Sequence, residues 1–277
     1  MSLVLGKPVQ VIGITGGKGG VGKSNVAVNT AIAMADLGRK VVLLDADLGL
    51  ANIDVLIGIK PRYTLEDVLA DRATIDEVLV DGPGGIKVVP ASSGTQRMTK
   101  LPQREHGGLI QAFSTLQQKL DVLIIDTAAG IGESVVNFLA ASQHVVVVVC
   151  DEPTSITDAY ALIKVLNRQQ GIERFDVVSN MTRGRPDAEL LFAKLQRVTD
   201  RFLEVTLHFA GAIPFDDNLR KAVKRQRAVV DMYPSTVASV AFRQLAHEID
   251  SWPIPMAARG HLEFFAERLL LGGAAAG

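Results

Sequence analysis

The residues best equipped for chemistry are Gly16-Gly17-Lys18-Gly19-Gly20-Val21-Gly22-Lys23-Ser24, set between a short apolar run and a helix-period stretch. Residues 17–24 satisfy the spacing G-x-x-x-x-G-K-[ST] in the strand-then-helix context that a phosphate loop needs. Glycines let successive backbone amides turn inward around phosphate oxygens, and the start of the helix adds a favourable dipole. Lys23 is expected to reach the β and γ phosphates, and the Ser24 hydroxyl to bind Mg²⁺. The nucleotide-contacting set is then Gly17, Lys18, Gly19, Gly20, Val21, Gly22, Lys23, Ser24 and Asn25.

Carboxylates stand where such a loop could use them. Leu43-Leu44-Asp45-Ala46-Asp47-Leu48-Gly49 ends one apolar run, and Asp126-Thr127-Ala128-Ala129-Gly130 follows another at 122–125. An acid ending a buried strand is costly to desolvate unless a cation compensates, and Mg²⁺ would do so. Two further strand ends carry Val178-Ser179-Asn180-Met181-Thr182-Arg183 and Ile213-Pro214-Phe215-Asp216. Asn180 on these grounds alone could equally be a turn residue.

The elements that must hold these groups are legible as alternating patterns. Runs at 9–15, 40–44, 86–89, 122–125, 145–149, 175–179 and 209–213 predict strands, several of them continuously apolar. Helix-period stretches fall at 24–37, 64–70, 106–119, 155–167 and 188–199. The alternation predicts a doubly wound α/β fold, with a mostly parallel sheet covered on both faces and ligands at the carboxyl ends of the strands. Trp252-Pro253-Ile254-Pro255 interrupts any helix, so we expect one domain over 1–250 and a linker plus C-terminal element over 251–277.

Composition narrows the function classes. The 277 residues are 48% hydrophobic and 21% charged, with 5% aromatics and a net charge of -1. That balance gives no general attraction for DNA or for anionic membrane. Cys150 is the only cysteine, read as a small buried apolar residue, and the five histidines lack metal-ligand spacing. No signal peptide or membrane-spanning run is apparent, which predicts a cytoplasmic protein, with peripheral contact at the inner membrane or cell pole as a further option.

Lys18 turns the loop into K-G-G-x-G-K-[ST], and the chain thereby resembles the MinD/ParA superfamily of deviant Walker A ATPases. The resemblance implies a MinD-like P-loop NTPase with ATP and Mg²⁺ as cofactors and a homodimer in the ATP state. It implies that Lys18 crosses to the partner's nucleotide, the work of an arginine finger supplied in trans. It makes Lys18, Lys23 and Asp47 the catalytic set, with Asp47 positioning the attacking water. Metal ligation falls to Ser24, to Asp126 and, through a bound water, to Asp45. Gly130 would approach the γ-phosphate. Asn180 would bond adenine, and Arg183, Pro214 and Phe215 would line the base.

Iron–sulfur relatives are excluded by the single cysteine, amidotransferase relatives by length, and tyrosine-kinase relatives by a tail without tyrosine. The chain looks most like the FleN/FlhG group of flagellar number regulators. The segments 45–54, 126–130, 152–160 and 221–227 carry this likeness, and 259–268 looks most like the FleN branch. That branch implies an antiactivator that binds and inhibits a FleQ-like AAA+ enhancer-binding transcription activator, with slow hydrolysis as a timer. An FlhF-like GTPase is a further implied partner, although few residues precede the first strand. The alternative is a ParA/MinD-type positioning ATPase acting on membrane or DNA.

Two segments keep open readings. Leu262, Phe265, Ala266 and Leu269 fall at i, i+3, i+4 and i+7, which predicts an amphipathic helix over 261–271 for membrane, partner or the protein's own surface. Arg220, Lys221, Lys224, Arg225 and Arg227 form a basic run on an expected helix. It could meet an acidic partner or DNA phosphates, or it could be a solvated face, and the neutral overall charge disfavours DNA.

Overall fold

The computed structural model describes residues 9–92, 101–116, 119–254 and 263–265. Its strands are β1 (Gln10–Thr15), β2 (Val41–Ala46), β3 (Val80–Asp81), β4 (Lys87–Val89), β5 (Val122–Thr127), β6 (His144–Val149), β7 (Arg174–Thr182) and β8 (Thr206–Pro214). They form one sheet in the order β3-β4-β2-β5-β1-β6-β7-β8. Every neighbouring pair is parallel except β3 with β4. All six residues are buried in each of β1, β2, β5 and β6, as the continuous apolar runs require of strands covered on both faces.

The helices are α1 (Lys23–Asp36), α2 (Ile53–Ile57), α3 (Leu65–Leu69), α4 (Ile75–Val78), α5 (Gln103–Ser114), α6 (Glu133–Ala140), α7 (Pro153–Gln170), α8 (Arg185–Phe202), α9 (Asp217–Lys224), α10 (Val229–Met232) and α11 (Val237–Asp250). One face of the sheet packs on α1, α10 and α11. The other packs on α3 and α5 beside β2 and β5, and on α7 and α8 beside β6 and β7.

Each of the seven expected strands is present, and the antiparallel β3 is an addition too short to carry a period. Helix α5 starts before the expected 106, because Pro102 presets the entry to its first turn, and it ends at Ser114. The basic helix is α9, and it closes at Lys224. Arg225 and Arg227 lie beyond it, around Gln226 at φ 53°.

The tail departs from expectation. Leu262, Ala266 and Leu269 lie outside the described residues. Residues 263–265 form a turn with Phe265 at φ 56°, so a helix over 261–271 is not continuous here. The reason is packing. Neighbouring residues on a helix point about 100° apart, yet both Phe264 and Phe265 are fully buried. Phe264 meets Phe113 of α5 edge-on at 5.3 Å and stacks on Phe138 of α6 at 6.4 Å. At the root of the tail, Trp252 is buried against His144 at 4.9 Å.

Candidate nucleotide site

The site forms where β1 feeds α1. Gly22 caps α1 at φ 91° and Gly20 turns at φ 83°, conformations that L side chains rarely adopt. At Gly17 a Cβ would lie 2.1 Å from the carbonyl carbon of Asp158, so the loop lies directly against α7. At Gly19 and Gly20 a Cβ would meet nothing within 4 Å, which is the open space a phosphate cradle needs. Burial lowers the pKa of Lys23, while Asp126 and Asp47 oppose the shift, so both acids act on its ammonium. Ser24 and Asn25 continue the first turn of α1, where the Asn25 carbonyl accepts from Asn29 at 2.8 Å.

Asp45 and Asp126 end adjacent strands in register. Asp126 is buried, and burial pushes its pKa up to about 7, against the Ser24 hydroxyl and Lys23. Its Oδ1 is buried without a hydrogen-bond partner among the described residues. A hydroxyl and an incompletely satisfied carboxylate, beside an open cradle for phosphate, fit Mg²⁺. That ion takes hard oxygen donors and completes its shell with phosphate and water.

Asp45 is arranged differently. Its carboxylate accepts from the amides of Asp47 (3.1 Å), Asn52 (3.0 Å) and Ile53 (3.1 Å), so it caps α2 and shapes the connecting segment. Burial and the neighbouring Asp126 push its pKa up to about 8 despite those amides. Asp47 is half-buried and accepts from the amide of Leu50 at 3.0 Å. A cavity of about 450 Å³ separates residues 46–49 from 128–135. Gly130 turns at φ 91° and donates its amide to the Gly16 carbonyl at 3.2 Å, which joins the second carboxylate segment to the phosphate loop.

Lys18 sits on the rim of the loop. Its ammonium donates to Glu152 and, at 2.9 Å, to Thr154, both at the start of α7. The Glu152 carboxylate raises the Lys18 pKa above its ordinary value. Asn180, at the end of β7, donates its Nδ2 to the Val21 carbonyl at 2.8 Å. Phe215 donates its amide to the Thr182 carbonyl at 2.8 Å, which brings the segment carrying Pro214 beside Arg183. Phe215 stays exposed, as does Arg183.

Sequence reasoning missed three participants. Glu152 and Thr154 were visible only as part of a family-like segment, and nothing in their spacing marks them as holding Lys18. Met181 is exposed at φ 58°, and its methyl lies 3.4 Å from where a Cβ on Gly22 would stand. A non-glycine residue in the left-handed region leaves no mark in one sequence.

Comparison with known proteins agrees with the fold. The family profile described as "ParA: NUBPL iron-transfer P-loop NTPase" matches residues 7–250. The antiactivator FleN of Pseudomonas aeruginosa is 60% identical over 263 residues, covering 95% of this chain and 94% of that one. The flagellum site-determining protein YlxH of Helicobacter pylori is 32% identical over 238 residues, covering 86% and 80%. Among solved structures, the septum site-determining protein MinD complexed with Mg-ADP from Pyrococcus horikoshii superposes with a TM-score of 0.72 at 25% identity. That match covers 88% of this chain and 96% of that one. Because that profile spans most of the chain and a relative is 60% identical over 95% of it, the chain belongs to the ParA/MinD family of P-loop NTPases.

Proposed function

We propose that the chain is a slow, Mg²⁺-dependent ATPase that serves as a switch, single when empty or ADP-bound and paired when ATP-bound. The observation that carries this reading is the position of Lys18. The ammonium stands on the rim of the loop, held by Glu152 and Thr154, while Lys23 alone is buried against the two site carboxylates. A rim cation on a short tether is suited to a phosphate on a second copy.

Within one subunit, Lys23 and the amides of 17–24 hold the β and γ phosphates. Ser24 and Asp126 are the residues to hold Mg²⁺, which when bound neutralises charge across the phosphates. Asp45 keeps the 47–53 segment in place, and through it Asp47 orients the attacking water. Gly130, whose amide bonds the Gly16 carbonyl, would serve the γ-phosphate side. Asn180, Arg183, Pro214 and Phe215 surround the base. Positioning and charge stabilisation account for this chemistry without a strong base.

The output is an interaction. Likeness to the antiactivator FleN supports the reading that the ATP-bound pair binds and inhibits an AAA+ enhancer-binding activator of flagellar genes. The test is molar mass by light scattering for wild type and Lys18→Ala, each with ADP or a non-hydrolysable ATP analogue plus Mg²⁺. A doubling confined to wild type with the analogue is expected. A mass that ignores nucleotide, or a Lys18→Ala chain that pairs equally well, overturns the switch.

A further inference from the structure

The basic run gains a neighbour in three dimensions. Helix α9 turns Ala222 into the core and leaves Arg220, Lys221 and Lys224 exposed, followed by exposed Arg225. The turn beyond it presses on the end of α2, where a Cβ on Gly58 would stand 3.3 Å from the Gln226 carbonyl oxygen. That contact brings the loop carrying exposed Lys60 alongside. Val55 of α2, one helical turn before Gly58, is 56% exposed.

Cations with and without an acid partner both occur on this surface, exposed Arg62, Arg168, Arg183 and Arg197 being further ones without an ion pair among the described residues. Arg39, Arg72, Lys87, Arg185, Lys194 and Arg227 each pair with an acid. Lys60, Arg220, Lys221 and Lys224 have no ion-pair partner among the described residues. Arg225 reaches only the Tyr233 hydroxyl, at 3.5 Å. The nearby acids do not cancel the patch, since Asp231 is taken by Arg227 and Asp217 lies a turn before Lys221 without pairing to it. Arg220 with Lys224, and Lys221 with Arg225, are like charges four residues apart, which disfavours the helix. The helix dipole accounts for cations in or just past the last turn, but not for Arg220 in the first half of α9 or for Lys60 on another loop.

We infer that Lys60, Arg220, Lys221, Lys224 and Arg225, together with Val55 of α2, form a docking surface for an acidic, partly apolar face of a protein partner. A protein fits better than duplex DNA or a membrane for two reasons. An exposed apolar side chain beside cations matches the anatomy of protein interfaces, and a chain of net charge -1 has no general attraction for a polyanion. Both halves of the surface hang from the nucleotide site. Helix α2 is capped by Asp45, and α9 follows directly from Phe215. The surface is therefore placed to be remodelled with nucleotide. This inference rests on the proposed antiactivator reading and assigns the activator as the partner.

The test measures binding of the purified full-length flagellar activator from the same organism, with the ATP analogue and Mg²⁺ present, across a salt series. Three chains are compared: wild type, the triple variant Arg220→Glu, Lys221→Glu, Lys224→Glu, and the conservative Lys221→Arg, Lys224→Arg pair. The triple variant should pair with nucleotide as wild type does, yet bind the activator at least about tenfold more weakly and with a shallower salt dependence. The conservative pair should bind normally. Equal binding by wild type and triple variant overturns this surface and leaves the antiactivator reading standing. No binding by wild type overturns both. A triple variant that keeps the activator but loses a salt-steep affinity for random 40-base-pair duplex makes this a nucleic-acid surface and overturns the inference.

Discussion

Asp45 and Asp126 face each other in register on adjacent strands, two buried carboxyls with pKa values pushed up to about 8 and about 7. In an unfolded chain both would ionise near 3.8. Folding therefore takes up protons between those values. The stabilisation is complete below about pH 4 and is lost as pH rises through about 7 and 8. Nucleotide-free protein should lose thermal stability over that interval, and Asp126→Asn should flatten the loss. Its melting temperature should exceed that of wild type by more at pH 8 than at pH 5, at about 2–4 °C per kcal/mol. Parallel pH profiles for the two chains would refute the assignment.

The same protons give a binding signature. Mg²⁺ and ATP require Asp126 ionised, so their uptake at pH 7 should release protons from wild type. Titration calorimetry in buffers of different ionisation enthalpy should show a buffer-dependent heat. Asp126→Asn should lower that dependence and abolish the Mg²⁺-dependent part of the affinity. A buffer-independent heat for wild type contradicts the raised pKa.

Gly17 and Gly22 are irreplaceable for different reasons. At Gly17 the added carbon would run into the backbone of α7, and at Gly22 it would lie 2.3 Å from Asn180 Nδ2 at a strained φ. Gly22→Ala should break the Asn180–Val21 bond and cost about 1–3 kcal/mol. Gly17→Ala should cost more, because its obstacle is backbone. Urea unfolding of the two variants checks the order, and a mild Gly17→Ala would show that α7 can retreat.

Phe264 anchors the tail between α5 and α6. Phe264→Ala should release this contact and speed proteolysis between residues 254 and 263, while the melting of the main domain changes less than the 3–5 kcal/mol of a fixed core phenylalanine. Because α6 follows directly from the segment ending at Gly132, an ATP analogue with Mg²⁺ should also change the cleavage rate of wild type. Cleavage that is unaffected by both the substitution and the nucleotide separates the tail from the switch.

The loop, both carboxylate segments and seven strands were legible because each depends on neighbours in sequence, as spacing, apolar runs or turn residues. What was not legible depends on distant groups. The hold of Glu152 on Lys18 requires β6 to stand beside β1, and the three amides on Asp45 require the chain to curl back over its own acid. Of the expected tail helix only residues 263–265 are described, and they show what a period leaves out. Leu262, Phe265, Ala266 and Leu269 match a helical period, but the period ignores Phe264, and the pocket between Phe113 and Phe138 takes that ring instead. Helix α11 escaped notice because half of its buried face is small, with Ala238, Ser239, Ala241 and Ala246 beside Phe242, Leu245 and Ile249.

The strand order also bears on how the protein is born. β1 carries the phosphate loop near the start of the chain, yet its two neighbours are β5 and β6, with Gln10 opposite Val122 and Ile12 opposite His144. A ribosome adding about 5–20 residues per second makes the loop seconds before anything exists to hold it. Nucleotide cannot assist the early steps of folding, and a nascent chain stalled before β5 would expose β1 and α1 as unpartnered apolar surface for a chaperone to cover.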